Sequence, residues 1–105
     1  MVSITISPEA KNRILRKARP NIIIYCDVFS SRKGSGPAFI PKVIVAYGRE
    51  PGGQFVVENH GGMPVWIDRW LLSQISPDES FSIGLNRGLI KTLKIELVSQ
   101  QVERA

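Results

Sequence analysis

Two side chains in this sequence carry the thiol or imidazole donors that most often hold a transition metal: its one cysteine, Cys26, and its one histidine, His60. Iron–sulfur clusters are held chiefly by thiolates, usually four of them, because sulfur is soft and donates strongly to iron. One thiol falls short of that set. Cys26 also shares strand parity with Ile22, Ile24 and Val28, the position of a small hydrophobe packed among apolar neighbours. In a symmetric dimer, two copies of Cys26 and two of His60 would give four donors, although their spacing does not demand it. His60, beside Gly61 and Gly62, reads as an exposed turn residue. No metal and no cofactor are therefore expected, and Cys26 and His60 are the weak candidates for metal binding.

A second chemical feature is the segment Arg32-Lys33-Gly34-Ser35-Gly36. Its glycines let backbone amides turn inward while its two cations add positive charge, so it could cradle a phosphate or carboxylate. The alternative is a plain surface connection. The segment does not fit the phosphate-binding P-loop, whose glycines lead into a helix, because here the next segment is bounded by prolines. No serine or cysteine nucleophile has a base nearby in sequence, and no pair of carboxylates has catalytic spacing. Nothing in the chain indicates an enzyme.

Charge is unevenly spread: 14 Lys and Arg against 9 Asp and Glu give a formal +5, with Lys11, Arg13, Arg16, Lys17 and Arg19 close together. A solvated helix face explains that cluster best, although it could meet an acidic partner. The eight aromatics mostly occupy strand or helix positions where a core would use them, so a nucleic-acid-binding module is a weaker alternative. Trp66 and Trp70 could form an exposed patch for another protein. The partner expected is thus a protein or a small anion, with a homodimer as a further option.

These residues must be positioned by one domain spanning 1–105, since 105 residues suit a single core. No apolar run approaches the roughly 20 residues of a membrane span, and the polar stretch after Ile6 reads against a secretory leader. A single cysteine fits a reducing compartment, so the cytoplasm is the expected location. Alternation predicts strands at 2–6, 81–85 and 93–97. Apolar and β-branched runs predict others at 21–29, 42–47, 54–58 and 64–68. Ser7, Pro8 and Glu9 open a helix that Pro20 ends, with Ala10, Ile14, Leu15 and Ala18 toward the core. A shorter helix comes next at 69–75, residues 30–41 read as a loop, and 98–105 as a frayed tail. The expected fold is α+β: a small mixed, mostly antiparallel sheet or flattened barrel with one N-terminal helix and a short second one.

This succession, with particular residues in it, resembles the HesB-like, A-type iron–sulfur carrier family. The family's opening strand-to-helix junction is matched by Ile4-Thr5-Ile6-Ser7-Pro8-Glu9-Ala10. Its middle hairpin is matched by Gly61-Gly62-Met63-Pro64-Val65-Trp66-Ile67-Asp68. The order and spacing of the motifs carry the resemblance, which runs from about Val2 to Val98. A closer likeness is to the small branch marked by paired cysteines, or cysteine and selenocysteine, in the loop after the second strand. The shared features are Pro41-x-Val43, Tyr47-Gly48-x-x-Pro51 and the ending from Ile83-Gly84-Leu85 to Lys91-x-Leu93-Lys94-Ile95-Glu96. The ligands themselves are missing. Gly34 stands roughly where the carriers' first cysteine would be, and the C-terminal Cys-Gly-Cys pair has no counterpart. The resemblance implies the carrier fold with cluster ligation lost, hence a non-enzymatic binding or adaptor protein. The alternatives are a metal or cluster carrier using Cys26 across a dimer, and a basic nucleic-acid-binding module.

Overall fold

The computed structural model describes residues 3–30, 37–86 and 92–99. Among the described residues seven strands and two helices occur in the order β1 (Ser3–Ile6), α1 (Pro8–Ile14), β2 (Pro20–Ser30), β3 (Pro37–Tyr47), β4 (Phe55–His60), β5 (Met63–Asp68), α2 (Arg69–Ser73), β6 (Glu79–Asn86) and β7 (Thr92–Ser99). The α+β class and its mixed pairing match the expectation. The single sheet or flattened barrel does not, because the strands divide into two sheets, ordered β1-β6-β7 and β3-β2-β5-β4, with no closed barrel. Each sheet has one parallel pair, β1 with β6 and β2 with β5, and the other pairs are antiparallel.

Strand parity sets the core. In the three-stranded sheet, Ile4, Phe81 and Leu97 lie side by side, as do Ile6, Ile83 and Ile95, while Leu85 pairs with Leu93. In the four-stranded sheet the inward row comprises Ile22, Ile24, Met63, Val65 and Ile67. These two apolar faces, with Ala10 and Ile14 of α1 and Leu71 of α2, form one buried cluster. The two helices join the sheets: α1 leads from β1 to β2 and α2 from β5 to β6.

Local chemistry starts each helix where the sequence placed it. The Ser7 hydroxyl accepts from the Ala10 amide at 3.1 Å, Pro8 occupies the first turn, and the Ser7 amide donates to the Ile83 carbonyl at 2.9 Å. Asp68 caps α2 by accepting from the Trp70 and Leu71 amides at 2.8 and 3.1 Å. Gly61 and Gly62 both have positive φ, +59° and +85°, as a two-residue hairpin turn between β4 and β5 requires.

Three boundaries differ from expectation. Helix α1 ends at Ile14, not near Pro20, because the Ile14 carbonyl accepts from the Tyr47 phenol at 2.8 Å rather than from the next helical turn. Leu15 and Ala18 are consequently exposed instead of facing the core. Strand β3 begins at Pro37, so 37–41 extends the β2–β3 hairpin where a loop was expected, with Ser30 opposite Pro37. Strand β7 runs to Ser99, and Val98 pairs with Ser80, so 98–99 belongs to the sheet rather than to a frayed tail.

The link from β3 to β4 explains an otherwise odd pattern of burial. Strands β3 and β4 run the same way at opposite edges of the four-stranded sheet, so residues 48–54 must cross it. The crossing spans about 22 Å, and the chain from Tyr47 to Phe55 reaches about 26 Å when extended, leaving little slack. It passes over the outer face: the Asn21 amide donates to the Arg49 carbonyl at 2.7 Å, and the Gln54 carbonyl accepts from the Arg69 amide at 3.0 Å. Beneath it Asn21 and Ile23 are buried although they point away from the main core.

Truncation should separate the two kinds of apolar position. Ile83→Ala, at a fully closed site, should cost about 2–5 kcal/mol in a denaturant titration. Leu15→Ala should cost less than about 1 kcal/mol, because half of that side chain is already in water. Equal losses at the two sites would contradict this assignment of the core.

Candidate functional site

Cys26 lies on β2 opposite Pro41 of β3 and packs against the edge of the core. Burial pushes its thiol above the ordinary pKa, and the carboxylates of Asp68 and Asp27 push it further in the same direction. A shallow cavity of about 370 Å³ borders it, with Ile23, Tyr25, Ile44 and Phe55 among the walls. Its surroundings favour the neutral thiol, whereas metal ligation needs the thiolate.

His60 is not the exposed turn residue expected from Gly61 and Gly62. It closes β4 opposite Met63, and its Nε2 lies 3.3 Å from Oε2 of Glu58. Both side chains are largely shielded, at 26% and 14% exposure, on the inward side of an edge strand. The sequence hid this pair because period-2 spacing places 58 and 60 together only if the strand continues through both.

Register separates the two metal candidates. Ile24 is level with Ile67, and His60 with Met63, so Cys26 and His60 lie near opposite ends of the sheet, about 20 Å apart. One twofold axis holding both copies of both residues needs them a few ångströms apart. Within one chain the fold does not bring them together, and among the described residues no group of three or more His, Cys, Asp or Glu is placed to hold a metal ion. Arg32, Lys33, Gly34, Ser35 and Gly36 lie outside the described residues.

Trp66 and Trp70 do not form one patch. Trp66 donates through Nε1 to the Asn21 side chain at 3.1 Å on the outer face, while Trp70 meets Phe39 edge-on at 5.7 Å. Of the basic cluster, Lys17 sits 5.5 Å from the centre of the Tyr47 ring, a cation–π contact. Among the described residues no helix is long and apolar enough to cross a membrane.

The feature that single-residue reading missed is a crevice between the two sheets. Strands β3 and β7 approach to Cα separations of 8 Å or less but are not paired. Two adjoining cavities between them, of about 380 and 250 Å³, share Val43 and Leu93. Ile14, Val45 and Ile95 extend the apolar surface, and Arg13, Lys42 and Lys94 supply cations. Among the described residues no carboxylate lines either cavity. The alternation of β3 and β7 contains these residues, but only the topology shows that the two strands face each other.

No protein-family model matches this sequence, and a search of curated proteins returns no match.

The thiol environment has a direct kinetic consequence. At pH 8, Cys26 should react with a thiol-specific disulfide reagent more slowly in the native protein than in urea. Stability should fall as pH rises past the ordinary thiol value, because the unfolded thiol ionises there while the folded one keeps its proton. Cys26→Ala should remove that component of an alkaline denaturation series, and an unchanged slope would contradict it.

Proposed function

We propose that this chain is a non-enzymatic binding or adaptor protein of HesB-like descent in which cluster ligation has been lost. The observation that carries the reading is the environment of Cys26. The one thiol is packed at the core's edge, its proton held more tightly by burial and by Asp68 and Asp27. A ligand thiolate calls for the opposite, a cationic or metal-facing setting that lowers the thiol pKa. The positions of the motif residues also support descent from that fold. Ser7 caps α1 at the strand-to-helix junction, and the Gly61-Gly62 turn leads into β5 and the Asp68 cap.

In this reading the protein works by binding a partner protein or a small anion, without catalysis, in the reducing cytoplasm. A basic nucleic-acid-binding module is the weaker alternative. The alternative of a carrier using Cys26 across a dimer is disfavoured by the distance to His60, which removes the imidazoles from any site that one axis beside Cys26 could gather.

Anaerobic reconstitution with iron and sulfide tests the proposal. The desalted protein should be colourless and lack stoichiometric iron and sulfide. Recovery of near one cluster per dimer, abolished by Cys26→Ser, would overturn the reading.

A further inference from the structure

We infer that the basic residues around α1 bind an extended acidic segment of another protein, which wraps over the helix from the Gly61 turn to the β3–β7 crevice. This names a partner for the adaptor reading and rests on that reading only in taking the ligand to be a protein. Iron reconstitution and peptide titration are independent experiments, so either can fail without the other.

The first observation is a concentration of charge that the helix does not account for. Lys11, Arg13, Arg16, Lys17, Arg19 and Arg49 are six of the 14 Lys and Arg. A solvated helix face would explain five of them if α1 ran on toward Pro20, but it ends at Ile14. The helix dipole favours cations in the last turn, which covers Lys11 and Arg13 alone. Leu15 to Arg19 lie beyond it in a non-helical stretch whose residues are all exposed. Arg49 joins them because the Gly48 amide donates to the Arg19 carbonyl at 2.9 Å. Among the described residues, none of the six is within 4.0 Å of a carboxylate. Arg19 also takes φ +59°, a left-handed backbone that glycine or asparagine adopts at lower cost. A cation therefore stands where the backbone alone favours another residue.

Geometry selects the partner. Successive helical residues turn by about 100°, so Lys11 and Arg13 leave α1 on opposite flanks. The Lys11 ammonium lies beside the β4–β5 turn, 3.9 Å from where a Cβ on Gly61 would stand. Arg13 lines the crevice with Val43, Val45 and Leu93. A flat anionic bilayer would meet the outward side of the helix and leave both flanks unused, whereas an extended chain bends over the helix and reaches both. Half the girth of a helix about 10–12 Å across is about 15–19 Å, the length of five to six extended residues. Single-stranded nucleic acid bends as readily, but it relies on open aromatic faces for stacking. The aromatics nearest the cluster are engaged: Tyr47 bonds the Ile14 carbonyl and lies under Lys17, and Trp66 bonds Asn21. Repeated carboxylates on a flexible peptide match these cations without calling on aromatic faces.

The test is a titration of the full chain with the blocked peptide acetyl-hexaglutamyl-amide at an ionic strength of about 0.1 M, followed by amide NMR. Saturable shifts are expected across Lys11–Arg19 and at Gly48 and Arg49, and not at Lys42, Arg69 or Lys94. Lys11→Gln and Arg13→Gln, on the two flanks, should each weaken binding by about threefold, while Lys42→Gln should leave it unchanged. Arg19→Asn should weaken binding and yet raise the denaturation midpoint, a pairing that a general loss of structure does not give. Absence of a saturable shift, equal shifts at all exposed cations, or full binding by Lys11→Gln would each overturn the proposal. So would tighter binding of hexathymidylate, which would assign the cluster to nucleic acid, or sedimentation with phosphatidylserine vesicles that the peptide does not displace, which would assign it to a membrane surface.

Discussion

Strand β2 has no solvent face over Asn21-Ile22-Ile23-Ile24, four successive residues that are all buried. Successive side chains of a strand point to opposite faces, so burying all four requires cover on both sides of the sheet. The three-stranded sheet supplies one cover, over Ile22 and Ile24. The 48–54 crossing supplies the other, over Asn21 and Ile23. Asn21 would be costly there without partners, since a buried unsatisfied amide costs about 1–3 kcal/mol. Its two ends are both used, by the Arg49 carbonyl and the Trp66 ring nitrogen. The polar residue thus fixes where the crossing lies.

That constraint positions the candidate site. With β2 paired on both sides, β3 is left at an edge, its inward row packed and its far backbone unpaired among the described residues. Tyr47, the last residue of β3, reaches across to the Ile14 carbonyl and stacks under Lys17. One phenol therefore ends the helix, ties it to the strand and forms the apolar-to-basic end of the crevice. The two sheets meet along β3 and β7 without closing, and the open seam is lined by Arg13, Lys42 and Lys94.

All seven strands were legible in the sequence because each rests on a local signal, either alternation or a β-branched run bounded by turn residues. Both helix starts were legible for the same reason, since Ser7 and Asp68 act on amides two or three residues away. The end of α1 was not, because the group that takes the Ile14 carbonyl comes from Tyr47, 33 residues on. Division into two sheets, the separation of Cys26 from His60 and the β3–β7 crevice all depend on which strands neighbour one another. Parity alone does not carry that information. The Arg32–Gly36 segment, the most suggestive stretch of the sequence, falls outside the described residues, and its anion-binding role stays a reading of composition.

Hydrogen exchange of the β2 amides tests the central constraint most directly. If both faces of β2 are closed by packing, the amides of Ile22, Ile23 and Ile24 exchange only through global unfolding. Their opening free energy then equals that from denaturant titration of the same protein, while amides on the free edge of β4 exchange through smaller local openings. Exchange at Ile22–Ile24 with a free energy well below the global value, matching the β4 edge, would show that β2 is not the doubly covered centre of the fold.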